Sequence, residues 1–257
     1  YKDIKKIIKS GGLVLFTGTP CQVGGLKSYL GNEYDNLICV DIVCHGVPSN
    51  KIFKSYINKL KNEFSEYQNE TGFEFRNCKA WGYAPRMTPN TSNKVLVGVK
   101  NAYMYAFDKA LIFRKSCYDC KFNGINRVGD ITIADFWGVG QFDDPLKHNV
   151  SKGVSLVLVN NDKGSSIISS LDKVFKEKRE IDEATKLNGN IMRSSTYDNR
   201  RDEVIDSFLS NDKTLRQICQ EFALIDRTPK ALIERILTRI NLYFPLKNIY
   251  NLLHQWI

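Results

Sequence analysis

The chain has 257 residues, 42% of them hydrophobic and 25% charged, which fits a folded domain with or without an appendage and excludes a globally disordered chain. Its formal charge of +9 favours anionic partners such as phosphorylated cofactors, nucleotide sugars, acidic membranes or nucleic acid, or is simply a solvated basic surface. Seven cysteines, an odd number, without a secretory signal argue against an extracellular disulfide framework, and no apolar stretch approaches the ~20 residues of a membrane span.

Tyr1–Lys9 reads as an amphipathic helix, and a start on Tyr1 rather than Met leads us to expect the remainder of a longer protein. Leu13–Phe16 and Leu37–Val43 are apolar runs that read as buried strands of a parallel sheet. A helix is expected after each. The first has Thr19 as N-cap and Pro20 at its first position, running toward Leu30. The second has Ser49 as N-cap and apolar residues Ile52, Phe53, Tyr56, Ile57, Leu60 and Phe64 at helical spacing. Further strands are expected at Phe73–Arg76, Val95–Val99, Asp130–Ala134 and Val154–Val159, then a helix from about Ser165 to Lys176. From about Glu180 the chain reads as helical and polar, and Arg227–Ile257 carries a local charge of +4. The expected fold is α/β: a parallel or mixed sheet with flanking helices over 1–180, and a helical C-terminal extension over 181–257.

Cys21 and Cys44 fall just past the two leading strands, and parallel strands deliver such positions to one edge of a sheet. A helix start beside Cys21 favours negative charge on its sulfur. Cys117-Tyr118-Asp119-Cys120 presents two more sulfurs from one loop. Four thiolates suit a cubane [4Fe–4S] cluster. A structural zinc takes the same ligand set, usually from two Cys-x-x-Cys knuckles where this chain has one, and both readings stand at this point. Cys39, Cys78 and Cys219 have the neighbours of strand or helix interiors and read as buried apolar residues.

Four ordered stretches carry a resemblance. They are Leu15 to Val23 (LFTGTPCQV), Asp41 to Ser49 (DIVCHGVPS), Cys117 to Phe122 (CYDCKF) and Gly129 to Gly138 (GDITIADFWG). Together they resemble the beta-subunit family of coenzyme F-420 hydrogenases and dehydrogenases, from Tyr1 to about Lys176. The cysteine count without a secretory signal suits reduced thiols in the cytoplasm, and the resemblance implies an iron–sulfur flavoprotein. In it Cys21, Cys44, Cys117 and Cys120 hold a [4Fe–4S] cluster that exchanges electrons with a nearby FAD. The wording Cys44-His45-Gly46-Val47-Pro48-Ser49 looks like a branch found with bacterial surface-polysaccharide enzymes. That branch suggests a sugar-linked substrate and work at the inner face of the membrane. Full-length members carry an upstream segment, partly ferredoxin-like, that helps to bind flavin and is not in this sequence. A ferredoxin-like redox partner is expected, and nucleic acid is not.

Other residues are candidates beside the cluster. Gly18 and Thr19 offer a close backbone approach and helix-start N–H groups to a phosphate or cluster, or simply a capped turn. Gln22 could bond a cofactor edge or face solvent. His45 could bond a cluster sulfur, relay a proton or contact flavin. Asp135 is placed to orient a cofactor and Trp137 to shield the cluster, with a turn cap and a core ring as the structural alternatives. Arg114, Lys115, Lys121 and Arg127 surround the Cys-x-x-Cys and could offset cluster charge, bind FAD phosphates or dock an acidic partner. Leu232, Ile233, Ile236, Leu237, Ile240, Tyr243 and Phe244 form one helical face, a cap on the core or a surface for membrane contact through residues 230–257, with Pro245 breaking it.

Overall fold

A computed structural model describes residues 1–75, 87–91, 94–139 and 153–239, together with Leu242, Leu246 and Ile249. The chain forms two compact units that cut across the expected 1–180/181–257 division. Unit 1 is Tyr1–His45, Asp119–Asn149 and Gly153–Ser194, and unit 2 is Gly46–Tyr118, Val150–Lys152 and Ser195–Ile257.

Unit 1 is built on a sheet of β1 (Val14–Gly18), β2 (Leu37–Ile42), β5 (Ile131–Asp135) and β6 (Ser155–Val159), in the order β1-β2-β5-β6. β1, β2 and β5 run parallel, and β6 is antiparallel to β5, so the sheet is mixed. Helices α1 (Lys2–Lys9) and α2 (Pro20–Leu30) supply Ile8, Val23, Leu26 and Leu30 to a core with Val14, Phe16, Leu37 and Cys39. Helix α6 (Ile181–Leu187) and Ile191 close the same side of β5 and β6 over Phe136, Leu156 and Leu158. The other side is aliphatic as well. There Ile42 pairs with Ile133 and Ile133 with Val157, and Leu15, Ile42, Ile133, Val157 and Val159 are exposed. The apolar runs at 13–16 and 37–43 are thus strands buried on one face, not on both, because α1 and α2 lie on one side only.

Helix α5 (Asp162–Ser170) ends short of the expected Lys176. Its Ser-rich sequence is a poor helix former, and Lys176 folds back so that its ammonium donates to the carbonyls of Ile168 and Leu171 at 2.8 and 2.5 Å.

Unit 2 centres on α3 (Asn50–Glu63), started by the Ser49 cap. Its buried Ile52, Tyr56 and Leu60 meet Val204 and Phe208 of α7 (Arg201–Leu209), and Leu215 and Ile218 of α8 (Leu215–Glu221). The polar reading of the C-terminal third missed this: alternate faces of α7 and α8 complete a core that α3 begins. Lys59 of α3 donates to the carbonyls of Ser210 and Lys213 at 2.5 and 2.6 Å, and burial lowers its pKa. β3 (Phe73–Phe75) pairs antiparallel with β4 (Met87–Pro89), and α4 (Ala102–Asp108) packs into the same core. The strand expected at Val95–Val99 is not formed. Among the described residues Leu96 N–H reaches the Met87 carbonyl at 2.8 Å, and Gly98 with φ +62° turns the chain into a 3-10 turn over Gly98–Asn101. Arg76 and Cys78 lie outside the described residues.

Candidate functional site

The first candidate cysteine is carried by the crossing from β1 to α2. Gly18 ends the strand, Thr19 caps the helix, and Cys21 is the second helical residue, exposed. Thr19 and Gln22 form a capping box in which Gln22 Oε1 accepts from the Thr19 N–H at 2.9 Å and from its hydroxyl at 3.0 Å. Thr19 Oγ1 also lies 3.2 Å from Cys21 Sγ, so one hydroxyl serves the cap and the sulfur. A Cβ on Gly18 would sit 3.1 Å from Gln22 Oε1 and 3.3 Å from the Phe16 ring. Glycine here makes room for the capping carboxamide. Gln22, read from sequence as a cofactor contact or a solvated residue, has its oxygen in the cap.

The end of β2 is held by a buried ion pair that sequence reading did not find. Arg127 Nη2 lies 3.0 Å from Asp41 Oδ1, with side chains 1% and 0% exposed. The same guanidinium donates to the carbonyls of Ile42 and Phe122, at 2.8 and 3.1 Å, and to Thr132 Oγ1 at 3.3 Å. Asp41 Oδ2 accepts the Gly129 N–H at 2.9 Å. Arg127, expected from sequence to offset cluster charge, bind FAD phosphates, dock an acidic partner or lie in a solvated loop, braces the sheet edge from inside. The available signal was Asp41, the one carboxylate in the apolar run 37–43. Two residues past β2 comes Cys44, half-buried, and His45 Nδ1 lies 3.4 Å from Asn190 Oδ1.

Gly18 and Asp41 are register partners of parallel strands, so Cys21 and Cys44 leave the sheet at the same edge. β5 leaves there too, since Ile42 pairs with Ile133, and Asp135 ends that strand. The carbonyl of Asp135 accepts from Asn188 Nδ2 at 3.1 Å. Phe136 is buried in the core, whereas Trp137 is half-buried beyond it. Gly138, at φ +76°, comes so close to Leu187 that a Cβ would lie 2.3 Å from its Cδ1.

The Cys-x-x-Cys loop is shared between the units. Cys120 belongs to unit 1 and is half-buried. Two residues on, Phe122 packs its ring on Gly24 of α2, where a Cβ would stand 2.4 Å from Cε1. Gly24 is one turn from Cys21, so the Phe122 ring packs on the helix that carries the first cysteine. Cys117 belongs to unit 2, in a 3-10 turn over Lys115–Cys117. Its sulfur accepts the Val47 N–H at 3.4 Å, and Arg114 N–H donates to the Val47 carbonyl at 3.0 Å. Lys115 pairs with Asp202 at 3.3 Å and Lys121 with Asp119 at 2.8 Å, both on the surface.

Cys39 and Cys219 are buried. Desolvation, then the charge of Asp130, pushes the Cys39 thiol up, and burial pushes Cys219 up to about 12. Neither is suited to bind metal as a thiolate. Cys21, Cys44, Cys117 and Cys120 stand outside such surroundings. A helix start next to Cys21 and a backbone N–H on Cys117 are what a cluster sulfur uses, so these donors suit a [4Fe–4S] group by type and surroundings. They are not a ready-made cage: among the described residues, no group of three or more His, Cys, Asp or Glu that could hold a metal ion is found.

The family model for the C terminus of the coenzyme F420 hydrogenase/dehydrogenase beta subunit matches residues 11–184. Neither a curated protein nor a solved structure matches the chain.

Proposed function

We propose, from the premise that this chain belongs to the family formed by the C-terminal part of coenzyme F420 hydrogenase/dehydrogenase beta subunits, that it is the electron-transfer domain of an oxidoreductase. The family is one of oxidoreductase-type subunits. In this reading Cys21, Cys44, Cys117 and Cys120 hold one [4Fe–4S] cluster. The cluster would supply single-electron exchange between an FAD and a redox partner during oxidation or reduction of an organic substrate.

One observation carries the reading. The parallel strands β1 and β2 end in register, so Cys21 and Cys44 leave at one edge, and Phe122, two residues after Cys120, packs on Gly24 of the helix that carries Cys21. The chain's own residues have distinct tasks. Thr19 Oγ1 stands beside the Cys21 sulfur with its proton on Gln22 Oε1, and Val47 donates its N–H to Cys117. Arg127 holds the edge through Asp41, Ile42 and Phe122 without itself meeting a cofactor. His45 and Asp135 are the titratable side chains at the edge, for a proton or a cofactor contact. Half-buried Trp137 would limit water there. Lys115, Lys121 and Arg114 would attract an acidic, ferredoxin-like partner. A sugar-linked substrate of surface-polysaccharide synthesis is the substrate class that the Cys44-to-Ser49 wording favours.

Anaerobic purification tests this, with iron, sulfide, zinc and FAD measured in the wild type and in Cys117→Ser. The expected wild type is brown with about four irons per chain, and the variant loses most of that iron. A colourless protein holding one zinc would replace the electron carrier with a structural scaffold.

A further inference from the structure

Helix α9 (Pro229–Arg239) turns its apolar side away from the protein. Leu232, Ile233 and Ile236 are 50%, 56% and 49% exposed, whereas Thr238 on the opposite side is buried, its hydroxyl donating to the Glu234 carbonyl at 2.6 Å. Amphipathic helices that cap a core do the reverse. Leu242, Leu246 and Ile249 are exposed as well. An apolar strip turned outward along a helix marks a surface that meets something.

Charge selects the occupant. At about 100° per residue, Lys230 and Arg235 fall roughly 110° to either side of the Leu232–Ile233–Ile236 direction. Both borders of the strip are thus basic. Glu234 is the one acidic residue against five basic residues in 227–257. A second copy of this helix would set like charges against each other along both borders. A bilayer surface with anionic headgroups offers apolar depth in the middle and phosphate at the rims, where Lys and Arg stems lie along the acyl boundary with their charges in the headgroups. No helix among the described residues is long and apolar enough to cross a membrane.

We propose that α9 is an interfacial helix that seats the chain on an anionic lipid surface. Leu232, Ile233 and Ile236 enter the headgroup–acyl boundary, and Lys230 and Arg235 meet lipid phosphates. This inference is independent of the cluster.

Flotation of the full chain with vesicles of phosphatidylcholine containing about 30% phosphatidylglycerol, beside pure phosphatidylcholine, tests it. Binding at least about tenfold stronger to the anionic vesicles is expected, falling in high salt. Ile236→Glu and, separately, the Lys230→Glu/Arg235→Glu pair should each bring binding down to the phosphatidylcholine level. Thermal melts should stay at the wild-type temperature, since these side chains lie on an outward surface. Equal binding to both vesicles, no binding to either, or full binding by either variant would overturn the proposal. So would a lipid-free dimer in sedimentation velocity that Ile236→Glu breaks into monomers, which would assign the strip to a second copy.

Discussion

Cys39 and Cys44 lie on one short stretch of chain, the first inside β2 and the second just past its end, and their surroundings are opposite. Cys39 is fully buried under α2, among Val23, Leu26 and Leu37, and desolvation raises its thiol. Cys44 is half-buried at an edge where β1, β2 and β5 all terminate and where Arg127, Asp41 and Gly129 supply a polar brace. The difference teaches that residue type alone does not make a ligand here. Within the strand a cysteine is a small apolar side chain, and beyond the last ladder hydrogen bond its sulfur is only half-buried. The proposed chemistry is one of strand ends, which the sheet holds in register.

Breaking the brace should do the most damage. Arg127→Ala leaves Asp41 buried without its partner, and a loss of about 3–5 kcal/mol in unfolding free energy is expected from urea melts. A loss under about 1 kcal/mol would mean the edge is not held this way. Alkaline titration probes the buried side of the comparison. The folded Cys219 thiol is raised to about 12, above its ordinary value of 9.0, so the neutral form is the one folding favours. Its contribution is fully present below about pH 9 and is lost as pH climbs toward 12, by at most about 1.4 kcal/mol per unit. Melts across that range should fall less steeply in Cys219→Ala.

A smaller effect sharpens the contrast along β2. Cys39→Ser places a hydroxyl among aliphatic neighbours and should cost about 1–3 kcal/mol. Cys44→Ser, at a half-buried position past the strand end, should cost less than Cys39→Ser in the metal-free protein. Equal costs would erase the distinction. Among the destabilising changes the cap costs least: Thr19→Ala should destabilise by about 1 kcal/mol, with circular dichroism of the metal-free chain as the readout.

Much of the architecture was legible because its signals are local. The apolar runs at 13–16, 37–43 and 154–159 mark three strands, and Thr19-Pro20 and Ser49 mark two helix starts. The common edge for Cys21 and Cys44 followed from two successive strand–helix units. What escaped depends on contacts distant in sequence. Leu15, Ile133 and Val159 look as buried as Val14 and Phe16, and only the placement of α1, α2 and α6 separates the two faces of the sheet. Arg127 near a Cys-x-x-Cys looked like an anion-binding cation, but its partner Asp41 is far away in sequence. The core of unit 2 joins α3 to α7 and α8, elements separated by more than a hundred residues and by polar stretches that hide their apolar faces.

Iron content is the most direct test of the ligand assignment. Anaerobically prepared Cys44→Ser and Cys39→Ala would be compared with the wild type, each checked for a cooperative melt. The expected outcome is about four irons per chain in wild type and Cys39→Ala, with most of the iron gone from Cys44→Ser. Full iron retention in a folded Cys44→Ser, or iron loss confined to Cys39→Ala, would contradict the assignment of the strand-end cysteines.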